Sequence, residues 1–187
     1  MDVAVGRLTV REFLEMEFDD SEIYAHLYEL LDGEIVRHQS APAHQRVVRN
    51  LLVRLDGYVN ERQLGEVFSA PLDVYLDEHN APQPDLFFIP TADARLVTEQ
   101  GIEGVPTLMV EVSSPTSIVR DRVTKKEIYE RVGVAEYWIV DPQYREIEIY
   151  ALTAGRYHLH SAATVLEGEL VSRLFPELKL ILTELFA

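Results

Sequence analysis

Two acidic residues sit where acids are costly. Glu111 lies between Val110 and Val112 in the run TLMVEVSS, and Asp85 opens the apolar run PDLFFI. Both runs are apolar at consecutive positions, the mark of interior strands covered on both faces. A carboxylate in such a strand must be compensated by a cation or by hydrogen bonds. Two of them on neighbouring strands would form an oxygen-rich pocket suited to Mg²⁺ or Mn²⁺. A purely structural role is equally open, with Asp85 capping a turn after Pro84 and Glu111 paired with an arginine. Lys125 adds a third group. Ile128, Tyr129 and Val132 follow it by three, four and seven positions. It therefore shares the inward stripe of a helix, while Arg120, Lys126 and Arg131 project elsewhere. A lysine aimed at such a pocket can polarise an attacking water or stabilise charge on a phosphoryl oxygen. A lysine snorkelling past the helix edge is the plainer alternative.

Placing these groups takes a sheet and helices. Thr9 to Met16 reads as a short helix, with Thr9 as cap and Glu12 at capping-box spacing. YELLDGEIVRH reads as a hairpin turning at Asp32-Gly33. A helix from about Ala43 to Asn60 carries an apolar stripe from Val47 to Val59. Extended runs EVFSA, LDVYL and PDLFFI follow, and a connection of about sixteen residues, part helix, leads to TLMVEVSS. A second helix is expected from Arg120 to Val132, stopped by Gly133. EYWIV then forms a buried strand closed by Asp141-Pro142, and EIEIYA with RYHLH forms an antiparallel hairpin. ELKLILTELF fits strand or helix equally well. Interleaved helices and doubly buried strands indicate one α/β domain over residues 1–187.

Composition removes several function classes. With 187 residues, 47% of them hydrophobic and 26% charged, the chain falls in the ordinary globular range. The absence of cysteine excludes disulfides, zinc–thiolate sites and cysteine nucleophiles, and suits a reducing interior. The amino terminus lacks a signal-peptide pattern, and no apolar run reaches the roughly eighteen residues of a membrane span. A cytoplasmic protein is the expectation. No glycine-rich phosphate loop, nucleophile elbow or paired-histidine zinc helix is present. His158 and His160 share one strand face but lack a third ligand, so they read as an exposed hairpin face.

The net charge of −15 at first argues against a nucleic-acid partner. It is unevenly spread, however. Residues 1–34 hold ten acids against two bases, whereas residues 37–62 hold five arginines against two acids. Residues 116–131 are also locally basic, with five bases against three acids. Arg46 and Arg49 face away from the apolar stripe of the first long helix, where they could meet a phosphate backbone or simply solvent. DNA is therefore not excluded, but binding should be weak and salt-sensitive.

The succession YELLDGEIV, APAHQRVVRNL, GEVFSAPLDVYLDE, QPDLFFIP, LMVEVSSPTS, DRVTKKEIYERVGVAEYWIVDP and EIYAL resembles the Uma-two family from about Thr9 to Phe186. That family is described as restriction endonucleases, once known only as a domain of unknown function, within the PD-(D/E)xK nuclease superfamily. The resemblance implies a restriction-endonuclease-like mixed central sheet flanked by helices, with added β-hairpins. It implies Asp85 as the PD aspartate and Glu111 as the acid of the next core strand. The superfamily lysine two positions after that acid is replaced here by Ser113, and the family supplies a lysine from the next helix, matching Lys125. Glu29 matches the glutamate of the family's YELxDGE segment and would extend the metal site. His44-Gln45 match its HQ pair, in an orienting or capping role. Lys126 departs from the family, which more often has leucine there; it either adds a cation for nucleic acid near the site or has no role.

The activity implied is Mg²⁺- or Mn²⁺-dependent hydrolysis of DNA phosphodiester bonds. Two alternatives stand beside it: a catalytically silent nuclease fold that binds or scaffolds, and a phosphodiesterase acting on small nucleotides. Superfamily members often cut as dimers, so a homodimer paired through the hairpin from Glu146 to His160 is a further expectation.

Overall fold

Strands that lack polar alternation need cover on both faces, and two layers provide it here. The computed structural model describes residues 7–16, 28–37 and 41–187. Its central sheet is six-stranded and mixed. In spatial order the strands are β11 (Arg156–Thr164), β10 (Glu146–Thr153), β9 (Glu136–Asp141), β8 (Leu108–Val112), β5 (Leu86–Pro90) and β3 (Gly65–Ser69). β8 and β9 are parallel neighbours, and every other pair in this sheet is antiparallel.

Alternate strand residues go to opposite layers. Leu86, Phe88, Val110 and Trp138 pack with Val47, Leu51, Leu55 and Val59 of α2 (Pro42–Glu61), and with Phe175 and Leu185 near the carboxyl end. Phe87, Met109, Tyr137 and Ile139 pack on the other side with Ile128 and Tyr129 of α4 (Lys126–Val132). Each such side chain contributes about 1.5–3 kcal/mol by leaving water. α2 begins with Pro42, whose missing N–H is one that a first turn would leave unbonded in any case.

The helical layer over β8 is interrupted. α3 (Ile118–Arg120) passes through a π-helical turn (Asp121–Lys125) into α4, which Gly133 ends in a left-handed conformation at φ 92°. The expected stop is therefore found, and the helix starts two residues earlier than Arg120.

The early hairpin also forms, as β1 (Tyr28–Leu31) paired with β2 (Glu34–Arg37). Asp32 and Gly33 both have positive φ, 47° and 77°, as a tight turn of the right-handed-twist type demands. A Cβ on Gly33 would fall 2.5 Å from Arg7 Cβ. Gly33→Ala is accordingly expected to cost about 1–3 kcal/mol in urea unfolding. An unchanged midpoint would mean that the hairpin is not coupled to the fold.

One reading of the sequence needs correction, and two segments gain detail. The connection between β5 and β8 is part helix, as expected. It is a 3₁₀ segment, Thr91–Leu96, followed by a hairpin of β6 (Val97–Thr98) and β7 (Gly101–Glu103). LDVYL contributes only β4 (Val74–Tyr75), which pairs with β7 in a small side sheet rather than with the central one. ELKLILTELF becomes helical only at α5 (Leu182–Leu185). α1 (Val10–Leu14) has the expected Thr9–Glu12 capping box, and β10 with β11 makes the late hairpin. His158 and His160 are exposed on the outer strand. Residues 1–6, on which the reading of the amino terminus partly rests, lie outside the described residues. Among those described, no helix is long and apolar enough to cross a membrane.

Candidate active site

The antiparallel ladder of β5 and β8 runs to Leu86 opposite Val110, which leaves Asp85 and Glu111 one residue beyond it on adjoining strands. Asp85 Oδ2 accepts the N–H of Val112 at 2.8 Å and lies 3.1 Å from His44 Nε2. Glu111 Oε1 accepts from the hydroxyl of Tyr129 at 2.7 Å and from Lys125 Nζ at 3.0 Å. The same ammonium lies 2.9 Å from Glu29 Oε2, which also accepts the N–H of Gln83 at 3.3 Å. A hairpin, a central strand and a helix thus meet on one lysine. Asp85, Glu111, Lys125 and Glu29 are all buried, none more than 3% exposed.

Arg120 departs from the reading of the sequence. It was expected to project away, but its Nε lies 3.6 Å from Glu29 Oε1. The π-helical turn is the reason. It advances the backbone by one extra residue, so positions five apart, Arg120 and Lys125, come to one face. A 3.6-residue period projected back from Tyr129 cannot register that insertion.

Asp121 was missed altogether. It is 2% exposed, and its Oδ2 accepts the hydroxyls of Ser113 at 2.9 Å and Ser117 at 2.8 Å. Ser113 therefore ties the end of β8 to the π turn. The available signal was a lone acid inside the basic stretch RDRVTKK. The HQ pair divides, with His44 buried and Gln45 exposed. Arg46 and Arg49 are exposed on α2, and Arg49 donates to Asn50 Oδ1. Lys126 is taken up by Tyr150, its Nζ 3.5 Å from the ring centroid.

Negative charge exceeds positive charge within this cluster. Burial raises the pKa of Glu111, Lys125 lowers it, and Asp121, Asp85 and Glu29 raise it further; the net direction is well upward. Burial and Asp85 likewise raise Asp121 against the opposing pull of Lys125 and the two serine hydroxyls. Burial works against protonation of Lys125, but Glu111, Glu29 and Asp121 outweigh it and hold the ammonium charged. His44 is pushed up as well, since its bond to Asp85 and that carboxylate's charge overcome desolvation.

A divalent cation would relieve this imbalance, and hard carboxylate oxygens are the donors that Mg²⁺ and Mn²⁺ prefer. The residues fit such an ion chemically. Among the described residues, however, no three His, Asp or Glu side chains already converge as a ready cage. Beside His44 and Ser113 a cleft of about 290 Å³ opens, rimmed by Asp141 and Tyr144.

Comparison with known proteins bears on the family and the fold. A family model, Uma2, described as "Putative restriction endonuclease", matches residues 10–183. A crystal structure from Anabaena variabilis, described as "a putative nuclease belonging to DUF820", has a TM-score of 0.75 at 18% identity. The match covers 96% of this chain and 97% of that one. At that identity the likeness establishes the fold: a mixed central sheet flanked by helices. No curated protein matches.

Proposed function

Because this chain belongs to the Uma2 family of restriction endonucleases, we propose that it is a divalent-metal-dependent nuclease hydrolysing phosphodiester bonds in DNA. The observation that carries this reading is Lys125 Nζ at 3.0 Å from Glu111, one strand away from Asp85. Asp85 and Glu111 are the residues that would hold Mg²⁺ or Mn²⁺, with Glu29 behind Lys125. When bound, such an ion supplies Lewis acidity, neutralising phosphoryl charge and making water a stronger nucleophile.

The chain's own residues have separate tasks. His44 and the Val112 amide orient Asp85, and the Tyr129 hydroxyl orients Glu111. Lys125 is a fixed cation rather than a base, since its carboxylate neighbours keep it protonated. Glu29 and Glu111 engage two of its three N–H donors. The third stabilises charge on a phosphoryl oxygen as the attack proceeds. Cutting both strands of a duplex takes two sites, and the edge strand β11 is where a second copy would add.

One observation favours a silent binding fold instead: Asp85 and Glu111 are already engaged and buried, at 3% and 1% exposure. Titrating Mg²⁺ and Mn²⁺ against plasmid and single-stranded DNA decides between the two. Wild type should cut only with metal, and a chelator should stop it. Cutting that survives in both Asp85→Ala and Lys125→Ala would remove the assignment. Calorimetry with Mn²⁺ separates the silent fold, which has no reason to bind the ion through Asp85.

A further inference from the structure

The cleft beside the site has walls of a particular chemistry. Pro115, Ile118, Pro142 and Tyr144 line it, and His44 and Ser113 form the side toward the acidic cluster. His44 touches Asp85 and Ser113 touches Asp121, so the cleft shares its inner wall with the groups proposed to act on phosphate. Tyr144 is 69% exposed, a large aromatic surface left in water. The backbone that carries it is nevertheless held. Asp141 Oδ1 accepts the amides of Gln143 at 2.9 Å and Tyr144 at 3.1 Å, which pins the turn that presents the ring. Ser114 and Gln143 add polar atoms at the rim.

The cationic surface points the same way. Among the described residues, Arg54 is paired with Glu184, Arg62 with Glu61 and Glu177, Arg122 with Glu148, Arg131 with Asp32 and Arg156 with Glu130. Lys126 covers Tyr150. Arg46 and Arg49 on α2 stay exposed, but with a net charge of −15 they make a short basic track rather than one that follows a long duplex. Stacking one base on an aromatic ring needs no such track, because every base has a π face.

We propose that this cleft takes one unpaired nucleobase of the strand whose phosphate lies at the carboxylate–lysine cluster, stacked on Tyr144. The substrate is then single-stranded or locally unpaired DNA, since a base held in a duplex cannot enter. This rests on the nuclease reading of the adjoining site.

The test is direct binding in a chelating buffer, where nothing is cut. A short single-stranded DNA carrying a fluorescent adenine analogue is titrated with the full chain, and quenching reports stacking. Wild type should quench the analogue and bind the single strand about tenfold more tightly than the matched duplex. Tyr144→Ala should weaken single-strand binding by about tenfold and lose the quench, while Tyr144→Phe restores both. Equal affinity for strand and duplex, or wild-type behaviour by Tyr144→Ala, overturns the proposal. Failure of the nuclease reading registers elsewhere, as absence of cutting by the same wild-type protein when Mg²⁺ or Mn²⁺ is supplied.

Discussion

Lys125→Ala is expected to end metal-dependent cleavage and to lower the melting temperature by about 10 °C. Both effects have one origin. The ammonium is 1% exposed and lies 2.9 Å from Glu29 and 3.0 Å from Glu111. Removing it leaves two buried carboxylates facing each other; among the described residues, the cation that still pairs with either is Arg120, 3.6 Å from Glu29. Breaking one partner out of a buried ion network costs about 3–5 kcal/mol, and a chain of this size loses roughly 2–4 °C per kcal/mol. Loss of a fixed cation opposite developing phosphoryl charge should by itself reduce the rate by about 10²–10³-fold.

Lys125→Met separates the two effects, since it fills the volume without the charge. It should cut no better than Lys125→Ala. Adding Glu29→Gln to Lys125→Met should recover part of the lost stability, because one uncompensated carboxylate is gone. Thermal melts beside plasmid assays check both. A Lys125→Ala protein that melts with wild type and still cuts would sink the assignment.

Asp85→Asn is expected to behave differently: cleavage falls by about 10³-fold or more, while the melting temperature moves by only a few degrees. Asparagine keeps the shape and an acceptor oxygen, so the bond from Val112 N–H at 2.8 Å can persist, as can a bond to His44. What disappears is the anionic charge that a hard divalent ion requires. Calorimetry with Mn²⁺ should show its binding heat lost in this variant. Retained binding would place the ion elsewhere, and a collapse in stability comparable to that of Lys125→Ala would make Asp85 primarily structural. The contrast is informative because Lys125 supports fold and chemistry together, whereas Asp85 is held by groups that tolerate its neutral isostere.

Much of the framework was legible from local pattern. The doubly apolar runs containing Asp85 and Glu111 are adjoining central strands, and Lys125 points inward with Ile128 and Tyr129. Helix α2, the stop at Gly133 and both hairpins fall where spacing and turn residues put them. The errors have separate causes. A constant period misplaces Arg120, because the π turn inserts a residue that no side-chain pattern announces. LDVYL gives only Val74 and Tyr75 to a strand, because they pair with β7 far along the chain rather than with the central sheet.

By itself the sequence determined which faces are buried, because periods of two and 3.6 residues are set by backbone geometry within each element. It also determined, through motif order, which family the chain belongs to. Tertiary structure alone decided the partners within the site. Glu29 meets Lys125 across 96 positions of chain, and Ser113 reaches Asp121 only because the π turn lies over the end of β8. The cleft under Tyr144 was likewise invisible beforehand, being made where the ends of two strands and the start of α2 come together. Such contacts depend on which elements pack together, and that is a property of the whole sheet rather than of any segment of it.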